Sequence, residues 1–155
     1  MPEGPAAPDL AADAVLATSY LTLAAAVSAQ VVSDEDDDEL ECLAVAVYYE
    51  AKGEPLAGQL AVADVILSRA RSGRFPTSLC QVVTQPGQFS FVRGGRVPSP
   101  APGPQYRTAM AIAKIAIADA WDNPAPQALY FHAKRVSPGW VRARVALIGN
   151  HIFYR

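Results

Sequence analysis

Residues 40–69 read LECLAVAVYYEAKGEPLAGQLAVADVILSR, and this stretch decides what kind of domain the chain builds. Leu40, Leu43, Ala44, Val47 and Tyr48 recur at i, i+3, i+4, i+7 and i+8, the spacing of one face of a helix over 40–52. Gly53 suits the residue just past a helix end, and Pro55 follows at a position that cannot continue a helix but can open one. A second helix is therefore expected over 55–71. Leu60, Ala63, Ile66 and Leu67 form its buried stripe, Arg69 and Arg71 favour its dipole in the last turn, and Gly73 ends it. The chain thus opens its folded part with two apolar helices joined by a break of two residues, Gly53 and Glu54.

Downstream the pattern changes. Thr77-Ser78 caps a short helix through Val83. Residues 84–105 hold Gly87, Gly94, Gly95, Gly103 and five prolines, which makes a loop interrupted by the alternating piece Gln88–Val92, a candidate strand. Residues 105–121 lack Gly and Pro and read as a helix stopped by Asn123-Pro124. Two β-like pieces close the chain, 128–133 and 145–154. Gly149 inside the second implies a bulge or a close approach of another group to the backbone. Helices first and strands last give an α+β class rather than an alternating α/β one.

Charge divides the chain unevenly. Residues 1–41 carry ten acids and no Lys or Arg, whereas 42–155 carry all 13 bases against five acids, a net of +8. The organisation expected is an acidic, Ala-rich leader over 1–39 and one domain over 40–155, a length suited to a single core. Residues 14–33 run without charge for the length of a bilayer span, and Val27-Ser28-Ala29 fits a signal cleavage site. Yet a basic n-region is missing, and Thr and Ser dilute the run. An export or anchor segment and an amphipathic helix both fit. Asp34–Glu39 reads as a solvated spacer whose last residues suit the positive end of the next helix.

The chemistry-bearing residues are few. Glu50 sits at the end of the first helix after two tyrosines, where desolvation and the negative helix end both raise a carboxyl pKa. Such a group suits a general acid for glycoside cleavage, while a solvated Glu beside Lys52 is the plain alternative. Glu54 shares a face with Glu50 only if the helix runs through Gly53. The neutral and aromatic set Gln88, Phe89, Ser90, Tyr130, His132, Trp140, His151 and Tyr154 suits the binding of a sugar polymer, although each residue has an ordinary structural alternative. Cys42 and Cys80 are the only cysteines, either two buried thiols or one disulfide. With no C-x-x-C or Cys/His cluster, no metal or other cofactor is expected. Nor does the scatter of Arg residues form a nucleic-acid recognition module.

Taken in order, the stretch from Cys42 through Tyr48-Tyr49-Glu50-Ala51-Lys52-Gly53-Glu54-Pro55 and Gly58-Gln59 to Arg69 resembles the opening signature of the SleB/CwlJ cell wall hydrolase family. The resemblance continues through Arg74-Phe75-Pro76, Gln88-Phe89-Ser90, Tyr130-Phe131-His132-Ala133, Pro138 with Trp140, and Gly149, His151, Phe153 and Tyr154, covering 40–155. It implies a lysozyme-like α+β fold, mainly helical with a small antiparallel sheet. It also implies action on peptidoglycan glycan strands as a lytic transglycosylase with Glu50 as the acid, in a monomer exported to the cell envelope or periplasm. Gln88, Tyr130 and His132 would line the groove. Amidase action or a binding module without turnover are the other outcomes the resemblance leaves. Lys52 and Ser68 stand where the family has Arg and Asn. Of the two cysteine pairs in many relatives only the one matching Cys42 and Cys80 is present, which implies a disulfide there and leaves the 84–105 loop untethered.

Overall fold

The computed structural model describes residues 20–31 and 37–155. Helices α1 (Leu23–Ala29), α2 (Asp38–Ala51), α3 (Leu56–Arg71), α4 (Leu79–Val83) and α5 (Pro104–Ala118) precede strands β1 (Tyr130–Ala133), β2 (Arg144–Ile148) and β3 (His151–Tyr154). The α+β reading holds.

Helices α2, α3 and α5 pack on one another around Leu43, Val47, Leu60, Val62, Ile66, Ile112 and Ile115, all at most 1% exposed. Alanines at 44, 46, 61, 63, 109 and 113 sit among them, so the helices approach closely over small side chains. Asp37 caps α2, its carboxylate accepting from the Leu40 amide at 3.1 Å. Glu39 reaches across to accept from the Leu79 and Cys80 amides at the start of α4. Beside that contact Cys42 and Cys80 form a disulfide. The end of the acidic run is thus built into the domain, and the boundary expected at 40 cuts the first turn of α2. Asp34–Asp36 and the N-terminal 19 residues lie outside the described ones.

The uncharged run at 14–33 also differs from a simple leader where it is described. Residues 23–29 form the seven-residue helix α1, capped by Thr22 and packed on α5 with Ala26 at 1% exposure. Lys114 donates to the Val31 carbonyl. Among the described residues, no helix is long and apolar enough to cross a membrane.

Three other expectations are corrected. Gln88–Val92 is a pair of turns rather than a strand: among the described residues no strand pairs with it, the Gln85 carbonyl accepts from the Gln88 amide, and the Phe89 carbonyl accepts from the Val92 amide. The helix beginning near 105 ends at Ala118, not at Asn123, because Asp119 turns left-handed at φ 52° and its amide closes the last turn. The second β-like piece is two strands, not one. Gly149-Asn150 form the two-residue turn between β2 and β3, with Gly149 at φ 56°.

The sheet order is β1-β3-β2, all antiparallel. Phe131 pairs with Phe153 and Tyr130 with Tyr154, so alternate residues of the paired strands share faces. One face carries Phe131 and Phe153 into the helical core. The other gathers Tyr130, His132 and Tyr154.

Candidate active site

A cleft of about 540 Å³ opens between the C-terminal turn of α2, the 87–90 turn and the edge strand β1. A second hollow of about 480 Å³ continues from it, lined by Lys52, Glu54, Lys134 and Asn150. Glu50, Ala133, Arg135 and His151 border both, so Glu50 stands where the two halves of one groove meet.

Glu50 is delivered to the groove by the last turn of α2, which ends at Ala51 with Gly53 at φ 83° just beyond. Its neighbour Tyr49 stacks on Phe91 at 5.0 Å, and Phe91 on Phe89 at 5.5 Å. This aromatic chain holds the 88–92 turns against the helix end and strips water from the carboxyl. Burial raises the Glu50 pKa to about 7, so a large fraction is protonated near neutrality.

Glu54 meets the opposite fate. The Gly53 break swings it toward the β2–β3 turn, where its carboxylate accepts from the Asn150 amide at 2.7 Å and the Asn150 side chain at 3.1 Å. Burial alone would raise its pKa, but these hydrogen bonds and the nearby His151 hold it below the usual value. A Cβ on Gly149 would meet the Glu54 carboxylate and come within 2.8 Å of Pro55 Cδ. The close approach expected at Gly149 is this contact.

The other sequence candidates, Gln88, Phe89, Ser90, Tyr130, His132, Trp140 and His151, all border the same cleft. Because β1 is an edge strand, its residues reach the cleft from both sheet faces. His132 Nδ1 lies 2.7 Å from the Ala133 carbonyl and Nε2 lies 2.7 Å from the Tyr154 hydroxyl. Nδ1 donates to the carbonyl, and the Tyr154 hydroxyl can serve Nε2 as donor or acceptor. Trp140 closes this cluster, 5.2 Å from His132 and 6.0 Å from Tyr130, and remains 39% exposed. His151 is buried, with Nδ1 3.7 Å from a Glu54 oxygen and no hydrogen-bond partner for it. Burial lowers its pKa, Glu54 opposes, and His132 adds to the lowering.

Sequence reading missed Arg69 as a site residue. It is 5% exposed, its Nε donates to the Leu129 carbonyl at 2.8 Å, and Nη1 donates to Gln88 Oε1 at 3.1 Å. One guanidinium therefore ties α3 to both walls of the cleft and turns the Gln88 amide donors away from itself. The signal lay in the helix period: Arg69 follows Val62, Val65 and Ile66 at i+7, i+4 and i+3 on buried positions of α3. Among the described residues, no three His, Cys, Asp or Glu side chains gather to hold a metal ion. The groove offers one neutral acid, aromatic faces and neutral hydrogen-bonding groups, a chemistry suited to protonating an ether oxygen in a bound polymer.

Comparison with known proteins agrees. Residues 53–154 match the model of the cell wall hydrolase family. The chain is 36% identical over 122 residues to a spore cortex-lytic enzyme of Halalkalibacterium halodurans, covering 76% of this chain and 34% of that protein. It is 37% identical over 134 residues to the spore cortex-lytic enzyme of Bacillus subtilis, covering 83% and 41%. The chain thus spans well under half of either relative's length. The catalytic domain of a germination-specific lytic transglycosylase, SleB from Bacillus anthracis, superposes with TM-score 0.64 at 33% identity, covering 81% of this chain and all of that one. The Bacillus cereus SleB catalytic domain gives 0.63, also at 33%, covering 80% and 95%. These matches carry the lysozyme-like expectation to a solved fold.

Proposed function

The chain belongs to the cell wall hydrolase family, and on that premise we propose that it cleaves peptidoglycan glycan strands as a lytic transglycosylase with Glu50 as the single acid and base. The observation that carries this is the state of the two carboxyls. Glu50 is held with a pKa of about 7 in mid-groove, while Glu54 is taken up by Asn150. The similarity to the SleB catalytic domains supports the same reaction class.

The steps follow from one ionisable group. Protonated Glu50 gives its proton to the glycosidic oxygen, and the C1–O bond breaks with the electron pair leaving on that oxygen. The resulting Glu50 carboxylate then takes the proton of the sugar's own C6 hydroxyl. That oxygen bonds to C1 and closes a 1,6-anhydro ring, which restores the acid. No water is consumed and no second carboxylate is needed, whereas a hydrolytic mechanism needs one. Trp140 offers an exposed stacking face, Tyr130 and His132 line the same wall, and Gln88 offers its amide donors to the sugar rings. Action on the wall places the protein at the cell envelope, and the Cys42–Cys80 disulfide supports an oxidising compartment such as the periplasm.

Mass analysis of digested murein tests the reading. Anhydro-muropeptides are the expected product. Reducing ends carrying an added water mean hydrolysis, and released stem peptides mean amidase action. No products at all leave binding only. The last three outcomes each overturn the proposal.

A further inference from the structure

On the β1 side of the cleft, two guanidinium groups meet the ring of Tyr130. Arg142 lies with Cζ 3.6 Å from the ring centroid, and Arg69 with Cζ 5.6 Å from it. Arg69 is 5% exposed and uses Nε and Nη1 on the protein, but its Nη2 donors have no protein acceptor among the described residues. No carboxylate of the described residues lies within 4 Å of either group. A buried cation is ordinarily paired, and two like charges on one ring repel. Burial pushes the Arg69 pKa below its usual value; Tyr130 opposes this and the charge of Arg142 adds to it. What this pair lacks is an anion, and the planar donor fork of Arg matches a carboxylate. Of the cations here Arg69 and Arg135 line the groove, Arg135 at the junction of the two hollows, while Arg142 is exposed beside the lining residues Tyr130 and Trp140.

We infer that Arg69 and Arg142, gathered on Tyr130, form a carboxylate subsite that receives the stem-peptide carboxylate of a peptide-bearing muramyl residue. The inference rests on the glycan-strand reading and adds substrate choice to it. Strands that keep their charged peptides are preferred over strands whose carboxylates are neutralised. The aromatic walls Tyr130 and Trp140 suit a carboxylate flanked by alkyl groups.

Soluble peptide-bearing glycan strands provide the test, either native or with their carboxyls converted to primary amides. For the wild-type chain, KM on the amidated strands should be about tenfold higher at unchanged kcat, the worth of a charge-assisted hydrogen bond. Arg142→Gln removes an exposed side chain and should raise KM on native strands to the amidated value, leaving no preference. Arg107→Gln, on α5 beside α1 and away from the cleft, should keep the tenfold ratio. Equal KM values for the wild type on the two substrates overturn the subsite. Loss of the ratio in Arg107→Gln also overturns it, because that reports diffuse attraction. If wild type leaves native strands uncut, the cleavage reading fails. Co-sedimentation with native and amidated sacculi then judges the subsite alone by the same ratio.

Discussion

Glu50 and Glu54 are four residues apart, one on each side of the break at Gly53, and the fold treats them in opposite ways. Glu50 ends a helix inside an aromatic-walled groove, where removal of water pushes its pKa to about 7. Glu54 begins the next element and binds the turn of a hairpin 96 residues further on, which pulls its pKa down. Both lose solvent. The difference is the set of partners each finds: hydrogen-bond donors stabilise the ionised form of one, and none among the described residues does so for the other. One carboxyl is left free for proton transfer and the other fastens the sheet beneath the groove.

The largest effect that breaks this comparison is on turnover. Glu50→Gln should lower kcat on murein by about 10³-fold or more while the fold persists. Activity surviving that change would return the acid role to Glu54. Glu54→Ala should act on stability instead. It strips the acceptor from the Asn150 amide and should cost about 2–3 kcal/mol in urea denaturation. Gly149→Ala should cost about 2 kcal/mol by the same measurement, since a Cβ there is strained at φ 56° and meets the same carboxylate. A destabilisation of Glu50→Gln as large as that of Glu54→Ala would erase the distinction between them.

Two pH experiments sharpen it further. Because the folded pKa of Glu50 lies above the 4.5 of an ordinary solvated Glu, the native state binds more protons than the unfolded one between pH 4.5 and about 7. Stability from this group therefore falls as pH rises through that window. Glu50→Gln should accordingly gain about 2 kcal/mol over wild type at pH 8 and little at pH 4, read by thermal denaturation. The smallest effect is on the rate profile. Turnover should decline with an apparent pKa near 7 as the acid form of Glu50 is lost, and a profile flat to pH 9 would contradict the proton-transfer role.

Much of this was legible in the sequence where the signal is local. The α2–Gly53–Pro55–α3 unit follows from helical spacing and from two residues with restricted backbones. It places Glu50 at a helix end without reference to anything distant. The aromatic and amide residues of the groove were likewise recognisable by type. The 145–154 segment was less so. Gly149-Asn150 is a hairpin signal in its own right, but the continuous apolar run around it reads equally well as one bulged strand. The seven-residue helix α1 gave no signal that it would dock on α5, because its small residues resemble a leader as much as a packing face.

By itself the sequence determined the class of the fold, the break that separates the two carboxyls, and the inventory of groups available to a sugar polymer. These depend on period, on backbone restriction and on side-chain chemistry, all properties of neighbouring residues. Only the tertiary structure decided which carboxyl finds donors that hold it ionised, which arginine ties both walls of the cleft together, and where guanidinium groups gather with no carboxylate of the described residues beside them. Each of these depends on burial and on partners supplied from far along the chain. Asn150 reaches Glu54, and Leu129 and Gln88 reach Arg69, only after the chain has folded.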